Sequence, residues 1–150
     1  MRSEIAKKYF LDGFNCAQSV LLTFNDLIKT DEKVLLRLAS SFGGGMGKMQ
    51  FTCGAVSGAY MVLGYFFGKT EKEDKKALEK NYMLVREFKD KFTKNFGSEN
   101  CKELIKCDLL SEEGRKYFIE NKIGSTVCAN LVVKSVEILE EILNNEKIIS

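Results

Sequence analysis

The chain has 150 residues, 45% hydrophobic and 29% charged, enough to bury a core without disulfide or metal staples, so a single helical domain over residues 1–150 is expected. Lys and Arg number 23 against 21 Asp and Glu, a formal charge of +2, and the signs alternate along the chain instead of forming the basic block a nucleic-acid partner would need. Histidine and proline are both absent: the first excludes Ser-His and Cys-His catalysis, imidazole metal ligands and His-bound haem, and the second leaves nothing to interrupt long helices.

Apolar residues recur at helical spacing almost throughout, with no period-2 alternation between hairpin turns, so the fold class is all-α, a multi-helix bundle. Ser3 to Leu11 reads as a first helix stopped by Asp12-Gly13. Asn15 caps a second, with Ala17, Val20, Leu21, Phe24, Leu27 and Ile28 on one stripe. Thr30, followed by the acidic Asp31 and Glu32, caps a third that runs to about Phe42, where Gly43-Gly44-Gly45-Met46-Gly47 breaks the chain.

From about residue 52 to 67 the sequence is apolar nearly all round, as expected of a helix at the centre of the bundle. The stretch from Cys53 to Phe67 is too short to span a bilayer, which needs about 20 residues, so no membrane insertion is expected. Thr70-Glu71-Lys72-Glu73 has capping-box form, and Leu78, Tyr82, Val85, Phe88, Phe92 and Phe96 form the stripe of a long helix ending at Gly97. Helices from about Asn100 to Cys107, from Glu112 to Asn121 after a Ser111 cap, and from Ser125 to about Asn144 complete the reading. The charged segment Met1 to Lys8 has no apolar signal region, so a cytoplasmic setting is expected, where cysteines serve as free thiols, metal ligands or redox groups.

The five cysteines, Cys16, Cys53, Cys101, Cys107 and Cys128, are 37, 48, 6 and 21 positions apart, which matches no zinc-finger or ferredoxin spacing. Their places relative to the helices say more. Cys16 follows Asn15, Cys53 follows Thr52, Cys101 follows Asn100 and Cys128 lies three residues after Ser125, so four thiols fall in the first turns of four helices. Unpaired N–H groups and the positive dipole end favour a thiolate there, the form that attacks disulfides or ligates soft metals. Cys107, about 240° around the helix axis from Cys101 at 3.6 residues per turn, is left out of the site.

The bland reading is that these are small buried hydrophobes in a helical interaction or structural module, with inert thiols. The loop Phe42 to Met49 is no phosphate loop, since Phe42 and Met49 stand where Gly and Ser or Thr are required. Gly43, Gly44 and Gly45, with Gly54 beside Cys53, are instead candidates to bring bare backbone against the sulfurs or a bound cofactor. The plainer role for the loop is a helix connection.

Phe14-Asn15-Cys16-Ala17-Gln18-Ser19-Val20-Leu21, Phe42-Gly43-Gly44-Gly45-Met46-Gly47, Cys53-Gly54-Ala55-Val56-Ser57-Gly58, Cys101-Lys102-Glu103-Leu104 and the late Cys128 together resemble the C-GCAxxG-C-C family of redox-active proteins, from about residue 10 to residue 143. The family label writes Gly-Cys-Ala where this chain has Cys53-Gly54-Ala55; the likeness rests on a cysteine entering a small-residue helix. The resemblance implies that Cys16, Cys53, Cys101 and Cys128 are the family cysteines and that Cys107 is extra. The expected function is therefore a redox protein whose four thiolates either hold an iron–sulfur cluster or another metal, or cycle between dithiol and disulfide. A redox partner is implied, and homo-oligomerisation is left open.

Overall fold

The computed structural model describes residues 1–150 and is all-helical, its centre the helix Gly54–Phe67. Nine helices follow in order: α1 (Arg2–Leu11), α2 (Cys16–Thr23), α3 (Asn25–Ile28), α4 (Glu32–Ser40), α5 (Gly54–Phe67), α6 (Lys75–Phe96), α7 (Cys101–Ile105), α8 (Glu112–Glu120) and α9 (Ala129–Asn145). A glycine turn, Gly43–Met46, separates α4 from α5, and a π-turn, Gly124–Cys128, leads into α9. No helix is long and apolar enough to cross a membrane.

The small residues of α5 decide what packs on it. A Cβ on Gly58 would lie 2.8 Å from the Ala17 carbonyl oxygen and 3.1 Å from its Cα, so α2 crosses α5 backbone against backbone only because position 58 is bare. Val56, Val62 and Leu63 of α5 are fully buried with Val20 and Phe24 on one side, Phe88 and Phe92 of α6 on another, and Val132, Val136 and Leu139 of α9 closing the core. Phe88 and Phe92 stack at 6.0 Å between centroids and 19° between planes. A smaller satellite core joins Cys101, Ile105, Leu109, Ile123 and Cys128 at one end of the bundle.

Several boundaries differ from the sequence reading, each for a local reason. The second helix breaks at Phe24, where the Thr23 hydroxyl back-bonds to the Ser19 carbonyl at 2.7 Å, the pattern that bends helices. Asp31, not Thr30, caps α4 by accepting from Lys33 N at 2.7 Å, and α4 ends at Ser40. Asp74, not Thr70, caps α6 through Ala77 N at 3.0 Å. On α6 the buried stripe is Leu84, Phe88 and Phe92, while Tyr82 stays 53% exposed. Ser125 caps nothing: its hydroxyl donates to the Lys122 carbonyl, and the chain runs through a π-turn instead of a helix start.

Candidate functional site

Cys16 is held by a reciprocal cap. Asn15 Oδ1 accepts from Gln18 N at 2.8 Å, Gln18 Oε1 accepts from Asn15 N at 3.0 Å, and Asn15 Nδ2 donates to the Ser40 carbonyl at 3.0 Å, tying the start of α2 to the end of α4. The start of α5 sits directly on this turn. A Cβ at Gly54 would be 3.0 Å from the Cys16 Cβ and 2.9 Å from the Phe42 carbonyl oxygen, so glycine after Cys53 is what lets the two helix starts meet.

Cys53 and Cys101 are aligned by backbone. Thr52 and Asn100 form an isolated antiparallel bridge, with Cys53 N donating to Glu99 O at 2.8 Å and Cys101 N donating to Phe51 O at 2.7 Å. Both cysteines flank the bridge on the same face of the pair, since side chains alternate along extended backbone. Asn100 then caps α7 by accepting from Lys102 N at 3.0 Å, so Cys101 is the first residue of that helix.

The glycine turn lies against this pair. Gly44 and Gly45 have φ of 64° and 66°, and Met46, Lys48 and Gln50 also lie in the left-handed region. The backbone strain brings in a residue that sequence reasoning missed. Gln50 is 4% exposed; its Nε2 donates to the Cys107 carbonyl at 2.6 Å and its Oε1 accepts from Leu109 N at 2.8 Å, clamping the segment after α7 to the glycine turn. A glutamine between Met49 and Phe51 carries no local signal of such a role, because its partners lie 57 and 59 positions away.

Cys128 closes the π-turn, and Cys16 packs against the satellite core that contains it. π-turns recur at functional sites in helical proteins. Cys16, Cys53, Cys101 and Cys128 all line one cavity of about 680 Å³, together with Gly43, Gly44, Gly45 and Gly54. Cys107 does not line it, although it packs on the outside of the satellite core. Its position follows from a chain reversal, not from helix phase: α7 ends at Ile105 and Lys106 is left-handed with φ 58°, so the rotation expected from a helix through Cys107 does not apply.

The thiols are not equivalent. The neighbouring Cys16 thiol holds the Cys128 thiol below its ordinary range, while Cys128, followed by burial, pushes the Cys16 thiol well above it. The pair gives up one proton readily and keeps the other. Burial pushes Cys53 up to about 12, against the pull of the Ala55 and Val56 N–H groups. Burial likewise pushes Cys101 up to about 12, with the Cys53 and Cys128 sulfurs adding to it and the Gln50 side chain opposing it. Cys107 is raised by burial as well. The expectation that every helix start yields a thiolate therefore fails at Cys16, where Cys128 and burial hold the proton, and at Cys53 and Cys101, where desolvation outweighs the terminal N–H groups.

Four soft sulfurs suit an iron–sulfur cluster or zinc by donor chemistry. Their arrangement does not form a ready cage, because no three Cys, Asp or Glu side chains converge closely enough to hold a metal ion.

A nine-helix fold with one cavity lined by four cysteines defines an all-α thiol protein. The chain belongs to the C_GCAxxG_C_C family, described as "Putative redox-active protein (C_GCAxxG_C_C)", whose family model matches residues 14–142. The matched span contains every cysteine and the glycine turn. No curated protein and no solved structure matches the chain.

Proposed function

We propose that the chain is a thiol–disulfide redox protein of one domain, whose working dithiol is Cys16 and Cys128. The observation that carries this is that Cys16 packs against the satellite core containing Cys128 and both thiols line one cavity, with Cys128 held below the ordinary thiol range by its neighbour. The pair supplies one activated thiolate and, beside it, a second thiol to resolve a mixed disulfide. The Cys128 thiolate attacks one sulfur of a substrate disulfide, whose S–S bond breaks and whose other sulfur leaves as a thiolate. The Cys16 sulfur then attacks Cys128 Sγ, freeing the second substrate sulfur, to which the Cys16 proton passes. The substrate disulfide gains two electrons and the protein dithiol loses two, to be restored by a reducing partner protein.

Cys53 and Cys101 keep their protons at neutral pH and line the same cavity, a reserve of thiols beside the working pair. The glycine turn forms part of the cavity wall. A cytoplasmic setting, which keeps thiols reduced, suits five cysteines none of which is paired. The test is to equilibrate the reduced chain in glutathione and dithiothreitol redox buffers and map its disulfides by peptide mass. A Cys16–Cys128 bond that titrates with the buffer is expected, and its absence across the series overturns the assignment.

A second reading draws support from the four sulfurs sharing one cavity. After a shift of side chains the same four residues would hold an iron–sulfur cluster, which supplies one-electron transfer when bound. Anaerobic purification followed by metal analysis and a visible spectrum separates the two. Stoichiometric iron with cluster absorbance favours the cluster; a colourless, metal-free chain that forms the Cys16–Cys128 bond favours the dithiol.

A further inference from the structure

The cavity is larger than a dithiol needs. At about 680 Å³ it falls within the range of small-molecule sites, about 300–1,000 Å³. Away from the sulfurs its walls are largely apolar, among them Phe10, Leu109, Phe118 and Leu131. Its charged lining residues are Lys48 and Arg115, and no carboxylate lines it, in a chain that carries 21 Asp and Glu.

Both cations remain exposed, which puts them at the open edge of the cavity. Neither takes part in a salt bridge, so both charges are free to meet a ligand. Arg115 donates through Nη1 to the Leu109 carbonyl at 3.3 Å and the Leu110 carbonyl at 3.0 Å. Those bonds hold the guanidinium in place and leave Nε and Nη2 to meet a ligand. An apolar chamber with two unpaired cations at its mouth attracts and orients an anion whose body is apolar.

Resting on the dithiol reading, we infer that the cavity takes a small organic disulfide with an apolar body and anionic groups, which Lys48 and Arg115 steer onto Cys128. The balance is that of the exchange already described. The bound R–S–S–R accepts two electrons and leaves as RS⁻ and RSH, while the Cys128 thiolate and Cys16 thiol become one disulfide. The apolar walls exclude water from the attacking sulfur, and the two cations select the anion before the S–S bond is reached.

The experiment compares 5,5′-dithiobis(2-nitrobenzoate), an aromatic disulfide with two carboxylates, with 2,2′-dithiodipyridine, an uncharged aromatic disulfide. The reduced full chain carries Cys107→Ser so that the thiol outside the cavity is silent. Each initial rate is divided by that of the same reagent with free cysteine, which removes intrinsic reactivity. The normalised ratio, anionic over neutral, is expected above one at low salt, to fall as salt is added, and to drop about tenfold in Lys48→Gln/Arg115→Gln.

Arg115 also holds the Leu109 and Leu110 carbonyls, so its loss could loosen that loop. Lys48→Gln alone makes no such change and is expected to lower the ratio about threefold. A ratio at or below one, or one that neither variant moves, overturns the anion selectivity. Failure of the dithiol reading looks different: both reagents then give mixed disulfides that never resolve to a Cys16–Cys128 bond, whatever the ratio.

Discussion

Gly45 stands against Cys101: a Cβ on Gly45 would lie 2.6 Å from the Cys101 Cβ, at a backbone φ of 66°. Gly47 provides the comparison, for it has φ 59° and nothing within 4 Å of the same hypothetical atom. Gly47→Ala therefore adds only left-handed strain, about 1–2 kcal/mol, and should leave every thiol reacting as before. Gly45→Ala adds the same strain and a collision with the site. It should lower the melting temperature further and change the alkylation rate of Cys101 in the native protein. Equal effects of the two substitutions on Cys101 labelling would remove the glycine turn from the site.

Gln50 links the glycine turn to the segment between α7 and α8, and its removal tests that link. Gln50→Ala leaves the Leu109 N–H without its partner in a site where Leu109 is 8% exposed. A buried donor so orphaned costs about 1–3 kcal/mol. Gln50→Glu restores an acceptor but not the donor to the Cys107 carbonyl, so it should recover only part of the loss. Denaturant unfolding measures both, and an Ala variant as stable as the parent would show that the clamp carries no weight.

Much of the four-cysteine cavity was legible in the sequence because Cys16, Cys53 and Cys101 each sit beside a signal that acts locally. Asn15 and Asn100 cap their helices through bonds two or three residues away, and Cys53 enters a run of small residues that only a buried helix would carry. What was not legible depends on partners distant in sequence. The π-turn before Cys128 has no composition of its own, and Ser125 resembles a cap until its hydroxyl is seen bonded backwards to Lys122. The left-handed Lys106 that ends α7 is not a glycine, so nothing marked the reversal that sets the position of Cys107. Thiol acidity was the largest misreading. Helix position is local and visible, whereas burial of Cys53 and Cys101 depends on the assembled bundle, and burial wins.

That burial has a consequence at alkaline pH. Unfolded thiols lose their protons near 8.5, whereas Cys53 and Cys101 hold theirs to about 12 in the folded chain. Over this window the folded state binds more protons than the unfolded one, so stability falls as pH rises, by about 1.4 kcal/mol per pH unit for each such thiol. Cys53→Ala removes one of them. The slope of unfolding free energy against pH between 9 and 11 should be shallower in Cys53→Ala than in the parent, even though the variant is less stable at pH 7. Parallel slopes would mean that Cys53 titrates normally in the folded protein.

The pairing of Cys16 with Cys128 predicts opposite behaviour for the two thiols. Cys128 is alkylated as a thiolate, so its rate against pH should rise below the range of an ordinary thiol, while Cys16 should stay unreactive into alkaline solution. In Cys16→Ala the neighbouring thiol is gone and only burial acts on Cys128, which raises its pKa; the Cys128 profile should then move to higher pH and its rate at pH 7 should fall. Cys16→Ser keeps a hydroxyl at the same place and should restore part of the shift, although it cannot resolve a mixed disulfide. Iodoacetamide labelling of the reduced, metal-free protein, read at each cysteine by peptide mass, measures all three. Should Cys16→Ala leave the Cys128 profile where it was, the acidity of Cys128 does not come from its neighbour, and the pair loses the feature that marks it as the working dithiol.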